Sequence, residues 1–302
     1  MATEAISPFN VFLMLCLITF WGSSFVVVKV TLNDGLTPIA IATFRFLVAS
    51  VMFLAVLILN KRANPEYVLL VHKRDMPTLL FLALSGVTIF FTVQYTGIEM
   101  ASASIAAILV CLLSPILITV LSARILKEHL TRKQTVGIGT AAAGTFIVIV
   151  GGSLGLESNS SFFVGSLILL ITPFLWAAYT VVGKTVMKKY SPFLVSAYVN
   201  ILGGLCLIPF AAAENSLNTI ATMSLQGWSA VLYLAFACSL LGYFIWLHVA
   251  NQVKAAVMSS FLFAEPLVTV LFATIFAGET VTLFSAVGGL SIFVGVYLAS
   301  RK

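Results

Sequence analysis

The strongest constraint on this chain is the recurrence of apolar runs of about twenty residues, separated by short polar segments. An α-helix rises 1.5 Å per residue, so about twenty apolar residues cross the roughly 30 Å hydrocarbon core of a bilayer. Only 9% of the 302 residues are charged, whereas soluble domains carry about 25%. The sequence therefore predicts an all-α membrane protein whose solvent is the lipid bilayer.

Ten transmembrane helices account for almost all of the apolar sequence. A chain of this length would suggest two soluble domains, but the loops between the runs are mostly too short to fold independently. One membrane domain is therefore expected. The predicted helices are 10–31, 37–59, 77–97, 103–123, 134–151, 163–186, 192–212, 227–249, 254–276 and 283–299.

The basic residues are distributed unevenly between the two sides of these helices. If the N-terminus is cytoplasmic, the outer loops hold acidic residues but no Lys or Arg, and Lys29 lies just inside the outer end of helix 1. Cytoplasmic loops are enriched in Lys and Arg, so both termini are expected in the cytoplasm. The net charge of +6 then reflects topology, and no nucleic acid partner is expected. Fourteen of the sixteen basic residues fall inside: Lys61, Arg62, Lys73, Arg74, Arg124, Lys127, Arg132, Lys133, Lys184, Lys188, Lys189, Lys254, Arg301 and Lys302.

Several short motifs occur twice and in the same order. Trp21 and Lys29 of helix 1 recur as Trp176 and Lys184 of helix 6, 155 residues later. Such self-similarity indicates two repeats, with expected boundaries at 1–152 and 153–302. Further pairs recur at an offset of 151: Ser114-Pro115 with Glu128 and Glu265-Pro266 with Glu279, and Gly137 with Gly144 and Gly288 with Gly295.

Each predicted repeat contains five helices, an odd number, so the second repeat must enter the membrane from the opposite side. The expected fold is therefore two inverted five-helix repeats. Inverted repeats are typical of secondary transporters, which bind substrate near the midplane between the repeats and alternate access by rocking. This symmetry favours a carrier over an enzyme or a receptor.

The first half carries Trp21-Gly22-Ser23-Ser24-Phe25 with Lys29, Arg45-Phe46, Ser114-Pro115 with Glu128, and Gly137 with Gly144. In this order and spacing the motifs resemble the EamA domain of the drug/metabolite transporter superfamily. The second copy departs from the pattern, with Ala177-Ala178 for the Gly-Ser pair and Tyr198 and Asn200 near the place of Arg45. The resemblance implies a ten-helix carrier of small metabolites, often directed outward, with amino acids or related compounds as substrates of several members.

Three ionisable residues stand out within the predicted helices, where charged groups are costly and are functional candidates: Arg45, Glu265 and, near the inner end of helix 8, His248. Arg45 and Glu265 are expected to be able to pair across the repeat interface. Glu265 is interpreted either as a cavity group that exchanges a proton or binds a substrate amine, or as a structural carboxylate. For Arg45 a charge-anchoring role is favoured over direct anion binding.

Prolines interrupt helices 4 and 9 at matching positions. Pro115 and Pro266 each remove one helix hydrogen bond, which would expose the carbonyls of Cys111 and Leu262. Backbone groups that lack a helix hydrogen bond are tolerated at membrane depth where they are buried in protein or line a water-filled cavity. The two prolines are therefore predicted hinges, with ordinary kinks as the alternative.

Aromatic and polar side chains at middle depth suggest a largely apolar pocket with a few polar groups, as small-molecule sites usually are. Each aromatic residue taken alone is as well explained by packing. Trp21 and Trp176 are the leading pair because the repeat relates them. The predicted substrate-binding cavity consists of Trp21, Gln94, Tyr95, Ser114, Trp176, Tyr179, Tyr243, Trp246 and Glu265.

Glycines on helices 5 and 10 form small-residue stripes, which let helices approach closely. These helices are expected to pack against each other or to form a homodimer contact. The sequence contains no zinc-protease, nucleotide-binding or triad motif, so no cofactor, metal site or ATP hydrolysis is expected.

The resulting functional hypothesis is a plasma membrane (cell inner membrane) exporter of amino acids or related amphipathic compounds that works by alternating access. Proton coupling through Glu265 is a further expectation. A sugar or nucleotide-sugar carrier and, from a different class, an intramembrane enzyme or receptor remain alternatives.

Overall fold

The structure is a computed structural model that describes residues 7–125, 132–154, 160–253, 258 and 260–300. Glu128 of the repeated motif and the basic residues Lys127, Lys254, Arg301 and Lys302 lie outside these ranges. The described chain is almost entirely helical. Its long helices are α1 Pro8–Asn33, α2 Pro38–Ala63, α3 Lys73–Met100, α4 Ala103–Ile125, α5 Arg132–Leu154, α6 Ser160–Val186, α7 Pro192–Ala213, α8 Leu225–Gln252, α9 Phe261–Ala277 and α10 Leu283–Ser300.

Six of these helices, α1, α2, α3, α6, α7 and α8, are long and apolar enough to cross a membrane. In the described parts of the other four helices the apolar stretches are shorter, and each falls within a predicted span to within one residue at its end. The protein is therefore a multi-pass membrane protein, while the count of ten membrane crossings stays a prediction. The shorter stretches are Ala103–Ile118, Gly139–Val148, Phe261–Ala277 and Leu283–Gly295.

A hydroxyl residue followed by proline begins helices at equivalent places in the two halves. Thr37 caps α2 by accepting a hydrogen bond from the backbone of Ala40 at 3.1 Å, and Ser191 caps α7 by accepting one from Leu194 at 3.3 Å. A hydroxyl cap satisfies one of the free N–H groups of the first turn, and proline fits the first helical position because its missing N–H is not needed there.

Three of the described helices contain a π-helical segment, and two of these segments lie at matching positions in the two halves. The matching segments are Leu84–Thr88 in α3 and Leu234–Leu241 in α8, and the third is Ala273–Ala277 in α9. Such π segments occur often at functional sites. Nothing in the sequence analysis anticipated them.

The helices pack in pairs that follow the two halves. Helix α2 packs on its counterpart α7, and α5 packs on its counterpart α10. Helix α1 of the first half contacts α8 and α9 of the second half, and its counterpart α6 contacts α3 and α4 of the first half. Two related halves would give this pattern. The inverted orientation of the repeats remains a prediction that the pattern supports.

The glycine stripes of α5 and α10 face each other within one chain. A Cβ atom at Gly144 would lie 2.7 Å from the backbone oxygen of Gly288, and one at Gly295 would lie 2.6 Å from the backbone oxygen of Gly137. Side chains larger than hydrogen would therefore separate the helices. Because these glycines are already in contact inside the chain, a homodimer through helices 5 and 10 would need their other faces and stays a prediction.

Candidate functional site

A buried cavity lies between seven helices, four from the first half and three from the second. The centre of a water molecule has about 50 Å³ available in it. About 10–15 Å³ of such space holds one water molecule, so the cavity admits a few waters and must widen for a larger ligand. Its lining consists of Trp21, Ser24, Phe25, Arg45, Phe90, Phe91, Gln94, Val110, Cys111, Ser114, Trp176, Tyr243, Leu262 and Glu265.

Three tryptophans meet beside this cavity. The rings of Trp21 and Trp176 lie 5.3 Å apart in an edge-to-face arrangement, and Trp246 lies 5.5 Å from Trp21 and 5.4 Å from Trp176. Aromatic pairs prefer such offset or edge-on geometry because the ring edge is positive and the ring face negative. The structure thus brings the repeat-related Trp21 and Trp176 into direct contact.

Arg45 enters the site from α2 and is 1% exposed. Its Nε donates a hydrogen bond to Ser239 Oγ at 2.8 Å, and its Nη1 donates one to the hydroxyl of Tyr95 at 2.5 Å. The guanidinium also lies 4.4 Å from the ring centroid of Phe91, within the range of a cation–π contact. These neutral partners hold Arg45 at the cavity wall, and its role as a charge anchor stays a prediction.

Glu265 enters from α9 and is 3% exposed. The thiol of Cys111 on α4 lies beside its carboxyl group, and both residues line the cavity. The only ion pair between described residues joins Lys189 and Asp75, neither of which lines this cavity. Glu265 therefore has no cationic partner within the described chain.

The predicted pairing of Arg45 with Glu265 is wrong. Both side chains line the same cavity, but no nitrogen of Arg45 lies within 4.0 Å of a Glu265 oxygen in the described structure. The guanidinium instead takes hydroxyl partners from α3 and α8. The cavity therefore contains one basic and one acidic group that do not neutralise each other through direct contact.

The π segments supply hydrogen-bond partners for the site. Trp21 Nε1 donates to the backbone oxygen of Cys238 in the π segment of α8 at 2.9 Å. Tyr243 donates through its hydroxyl to the backbone oxygen of Gly86 in the π segment of α3 at 2.5 Å. A π turn shifts the backbone hydrogen-bond pattern, which leaves carbonyls for side chains. Each half thus positions an aromatic residue of the other.

Three residues of the predicted cavity lie behind its wall. Tyr95 supports Arg45, while Tyr179 and Trp246 pack against Trp176 at 5.0 and 5.4 Å. The hydroxyl of Tyr179 and the Nε1 of Trp246 are buried without a hydrogen-bond partner among the described residues. Ser114 lines the cavity, although its hydroxyl donates to the backbone oxygen of Val110.

The two prolines sit in different local structures. Pro115 lies inside the continuous helix α4, whereas Pro266 stands in the first turn of an α-helical segment that begins at Glu265 after a 3-10 turn at Ser260–Ala264. At a first turn the missing N–H of proline costs nothing. Helix α9 is thus interrupted immediately before Glu265, and the hinge roles of both prolines stay predictions.

Seven lining residues were not predicted, and all of them lie one helical turn from a residue that was. Positions three or four apart share a helix face. Ser24 and Phe25 follow Trp21 at these spacings, and Leu262 precedes Glu265. A search for the neighbours at these two spacings would have found the full set, which also contains Phe90, Phe91, Val110 and Cys111.

Among the described residues, no three His, Cys, Asp or Glu side chains are grouped in a way that could hold a metal ion. The cavity offers one guanidinium, one carboxyl group, the amide of Gln94 and an aromatic wall. These groups suit reversible binding of a small molecule.

Comparison with known proteins agrees with this architecture. An uncharacterized transporter of Archaeoglobus fulgidus is 30% identical, with 93% of this chain and 94% of the relative covered. A probable amino-acid metabolite efflux pump of Salmonella typhimurium is 27% identical (95% and 93% covered), and a probable terminal-alkyne amino-acid exporter of Streptantibioticus cattleyicolor is 24% identical (96% and 92% covered). A crystal structure shares the fold, with a TM-score of 0.65 at 16% identity over 96% of both chains.

The EamA-like transporter family matches the chain twice, at residues 8–150 and at residues 163–301. Together the two matches cover nearly the whole sequence, and they confirm the resemblance that the Trp-Gly-Ser-Ser and Ser-Pro motifs indicated. The chain belongs to the EamA-like transporter family.

Proposed function

We propose that this protein is a secondary transporter of the plasma membrane that exports amino acids or related amphipathic compounds by alternating access. The observation that carries the proposal is the cavity between the two halves, where Arg45 and Glu265 are buried without an ionic partner among the described residues. Buried ionisable groups are expensive in a membrane and mark substrate or ion pathways.

Two matches to one family, one in each half, support the two-repeat organisation on which alternating access depends. The paired packing of the helices supports the same organisation. Exporters of amino-acid compounds among the relatives support both the substrate class and the outward direction. The narrowness of the cavity requires that the halves move to admit a substrate, with Pro115 and Pro266 as the proposed hinges.

Glu265 is the proposed site of proton coupling. Glu265 lines the cavity and forms no ion pair with a described residue, so its charge can change without breaking one. A substrate that reaches the cavity would then compete with a proton for the same group.

The test is counterflow into proteoliposomes that contain the purified full chain and an excess of one unlabelled compound. The labelled panel contains amino acids, sugars and nucleotide sugars, each measured with and without an imposed pH gradient. We expect saturable exchange of amino acids that depends on the gradient in the wild type and loses that dependence in Glu265→Gln.

The matched control is His248→Gln. His248 is also ionisable and lies in α8, but its Nε2 contacts Gln252 at 2.7 Å and it does not line the cavity. Exchange by this variant should keep its gradient dependence. Exchange of sugars alone would replace the proposed substrate class, and absence of exchange for the whole panel would contradict the transport proposal.

A further inference from the structure

We infer that the cavity binds zwitterions with an apolar side chain, with Glu265 receiving the ammonium group and Arg45 the carboxylate. This inference rests on the proposed function, because it assigns the substrate contacts of the same cavity. It makes Arg45 a substrate-binding group as well as an anchor.

Arg45 retains donors for a ligand. A guanidinium carries five N–H donors in a fixed plane that matches a carboxylate. Within the described chain, Arg45 directs one donor to Ser239 and one to Tyr95. These two contacts fix the orientation of the plane, and the guanidinium faces the cavity that it lines.

Glu265 retains acceptors. An ionised carboxylate offers about four acceptor positions on its two oxygens. Glu265 has no cationic partner among the described residues, and the neighbouring thiol of Cys111, which lines the same cavity, is at best a weak donor. An ammonium group brings three strong donors and a positive charge, so it would satisfy this carboxylate far better than the thiol does.

The pairing of opposite charges selects a ligand of zero net charge. Removing one partner of a buried ion pair leaves a charge without compensation, which is strongly unfavourable. An amine without a carboxylate would leave Arg45 uncompensated, and an acid without an amine would do the same to Glu265. A zwitterion compensates both groups at once and adds no net charge to the membrane interior.

The rest of the wall selects an apolar side chain. Trp21, Trp176, Phe90, Phe91 and Tyr243 line the same space, and the indole N–H of Trp21 and the hydroxyl of Tyr243 are already bonded to backbone oxygens. These rings therefore offer the ligand mainly apolar surface. A polar side chain would lose its hydration there and find few partners besides the amide of Gln94, because the hydroxyls of Ser24 and Ser114 already donate to backbone oxygens.

The test is equilibrium binding to the full chain in nanodiscs, followed by tryptophan fluorescence, because two tryptophans line the cavity and a third contacts both. Leucine is compared with 3-methylbutylamine and 4-methylpentanoate, which lack its carboxylate and its amine, respectively. Phenylalanine, phenethylamine and 3-phenylpropionate form a second matched set. In at least one set, we expect the zwitterion to bind about tenfold or more tightly than both analogues.

Charge-removing variants then assign the two contacts. Arg45→Gln should weaken zwitterion binding about tenfold or more and leave amine binding unchanged or tighter, whereas Glu265→Gln should weaken the zwitterion and spare the carboxylate analogue. His248→Gln should change none of these affinities. If Arg45→Gln does not yield a monodisperse protein, Arg45→Lys takes its place. We then expect a smaller loss of zwitterion affinity, because lysine keeps the positive charge but lacks the planar guanidinium that matches a carboxylate.

The inference is overturned if neither zwitterion binds more tightly than its two analogues, including the case in which nothing binds. It is also overturned if both variants weaken all ligands equally. Binding and transport are separate readouts. Zwitterion preference without counterflow would contradict the transport proposal alone, and counterflow without that preference would contradict the zwitterion assignment alone.

Discussion

Lys29 and Lys184, 155 positions apart, make the same contact in the two halves. Lys29 Nζ donates to the backbone oxygens of Ile98 and Glu99 at 3.2 and 3.3 Å, and Lys184 Nζ donates to that of Val253 at 3.0 Å. Each lysine thus reaches the C-terminal end of the helix two further along the chain, where free carbonyls and the helix dipole favour a cation. This contact also accounts for the one loop-proximal lysine, Lys29, that departs from the predicted cytoplasmic placement of the basic residues.

The close approach of α5 and α10 gives the first prediction. In Gly144→Ala the new methyl group would lie 2.7 Å from two backbone atoms, Gly288 O and Ile292 N. Backbone atoms cannot move to another rotamer as a side chain can, so the helices themselves would have to shift. We therefore expect the unfolding free energy to fall by about 1–3 kcal/mol. Thermal unfolding in detergent, followed by tryptophan fluorescence, measures it.

Gly139→Ala is the matched control in the same helix. A Cβ at Gly139 would meet nothing within 4 Å, so the variant should be neutral or gain up to about 1 kcal/mol in helix propensity. Equal melting temperatures for the two variants would mean that α5 and α10 are not in contact through these glycines.

The phenol that supports Arg45 gives the second prediction. Tyr95→Phe removes an acceptor from a buried guanidinium, and hydrogen bonds to charged groups contribute about 1.5–3 kcal/mol. Tyr198→Phe, the control, removes a neutral bond of 3.0 Å to the backbone oxygen of Leu69, worth about 0.5–1.5 kcal/mol. We expect the larger drop in melting temperature for Tyr95→Phe. A drop no larger than that of the control would show that another acceptor replaces the phenol.

Features that depend on local pattern or on repetition can be predicted from the sequence. Thr37 and Ser191 precede prolines at the two helix starts, and the glycine stripes of α5 and α10 mark close packing. The hydroxyl-proline pair and the glycine spacing are visible in the sequence itself, because each depends only on residue type and on the distance along the chain. The contact between Trp21 and Trp176 likewise follows a symmetry visible in the sequence.

Other features depend on which side chains meet after folding. Arg45 finds Ser239, 194 positions away, because the π segment of α8 turns that hydroxyl toward α2. No residue pattern distinguishes Leu234–Leu241 from an ordinary α-helical run, so neither this segment nor the partner of Arg45 could be inferred. The possible pairing of Arg45 with Glu265 was inferred from their opposite charges alone. Charge does not show which hydroxyl groups lie next to the guanidinium once the chain has folded.

The ion pair on the predicted cytoplasmic side gives the third prediction. Hydrogen bonds from Lys189 at 2.9 Å and from Tyr190 at 2.7 Å lower the pKa of Asp75, and the same contact with Asp75 raises the pKa of Lys189. The stabilisation by Asp75 is therefore full above its unfolded pKa of about 3.9 and is lost as pH falls below it. The stabilisation by Lys189 is full below about pH 10.4 and is lost as pH rises beyond it.

The measurement is the difference in melting temperature between wild type and Asp75→Asn as a function of pH. It should stay constant between about pH 5 and 9 and shrink toward both extremes. Because both groups are solvated, the difference should also decrease with added salt. Lys188→Gln, a change at an exposed neighbouring lysine, should show no such profile. A difference that persists unchanged at pH 3 would rule out the ionic contribution.

The start of α4 gives the last prediction. Glu279, in the segment before α10, accepts hydrogen bonds through its two carboxylate oxygens from the backbone N–H groups of Ala103 at 2.8 Å and Ser104 at 3.0 Å. The first N–H groups of a helix lack internal partners, and the helix dipole favours a negative charge beside them. Glu279→Ala should therefore lower the unfolding free energy by about 0.5–2 kcal/mol, with Glu279→Gln between it and wild type because the amide keeps one oxygen. Glu99→Ala leaves the backbone contact with Lys29 in place and should have little effect. If Glu279→Gln proves as stable as wild type, the cap works through its oxygen atoms and not through its charge.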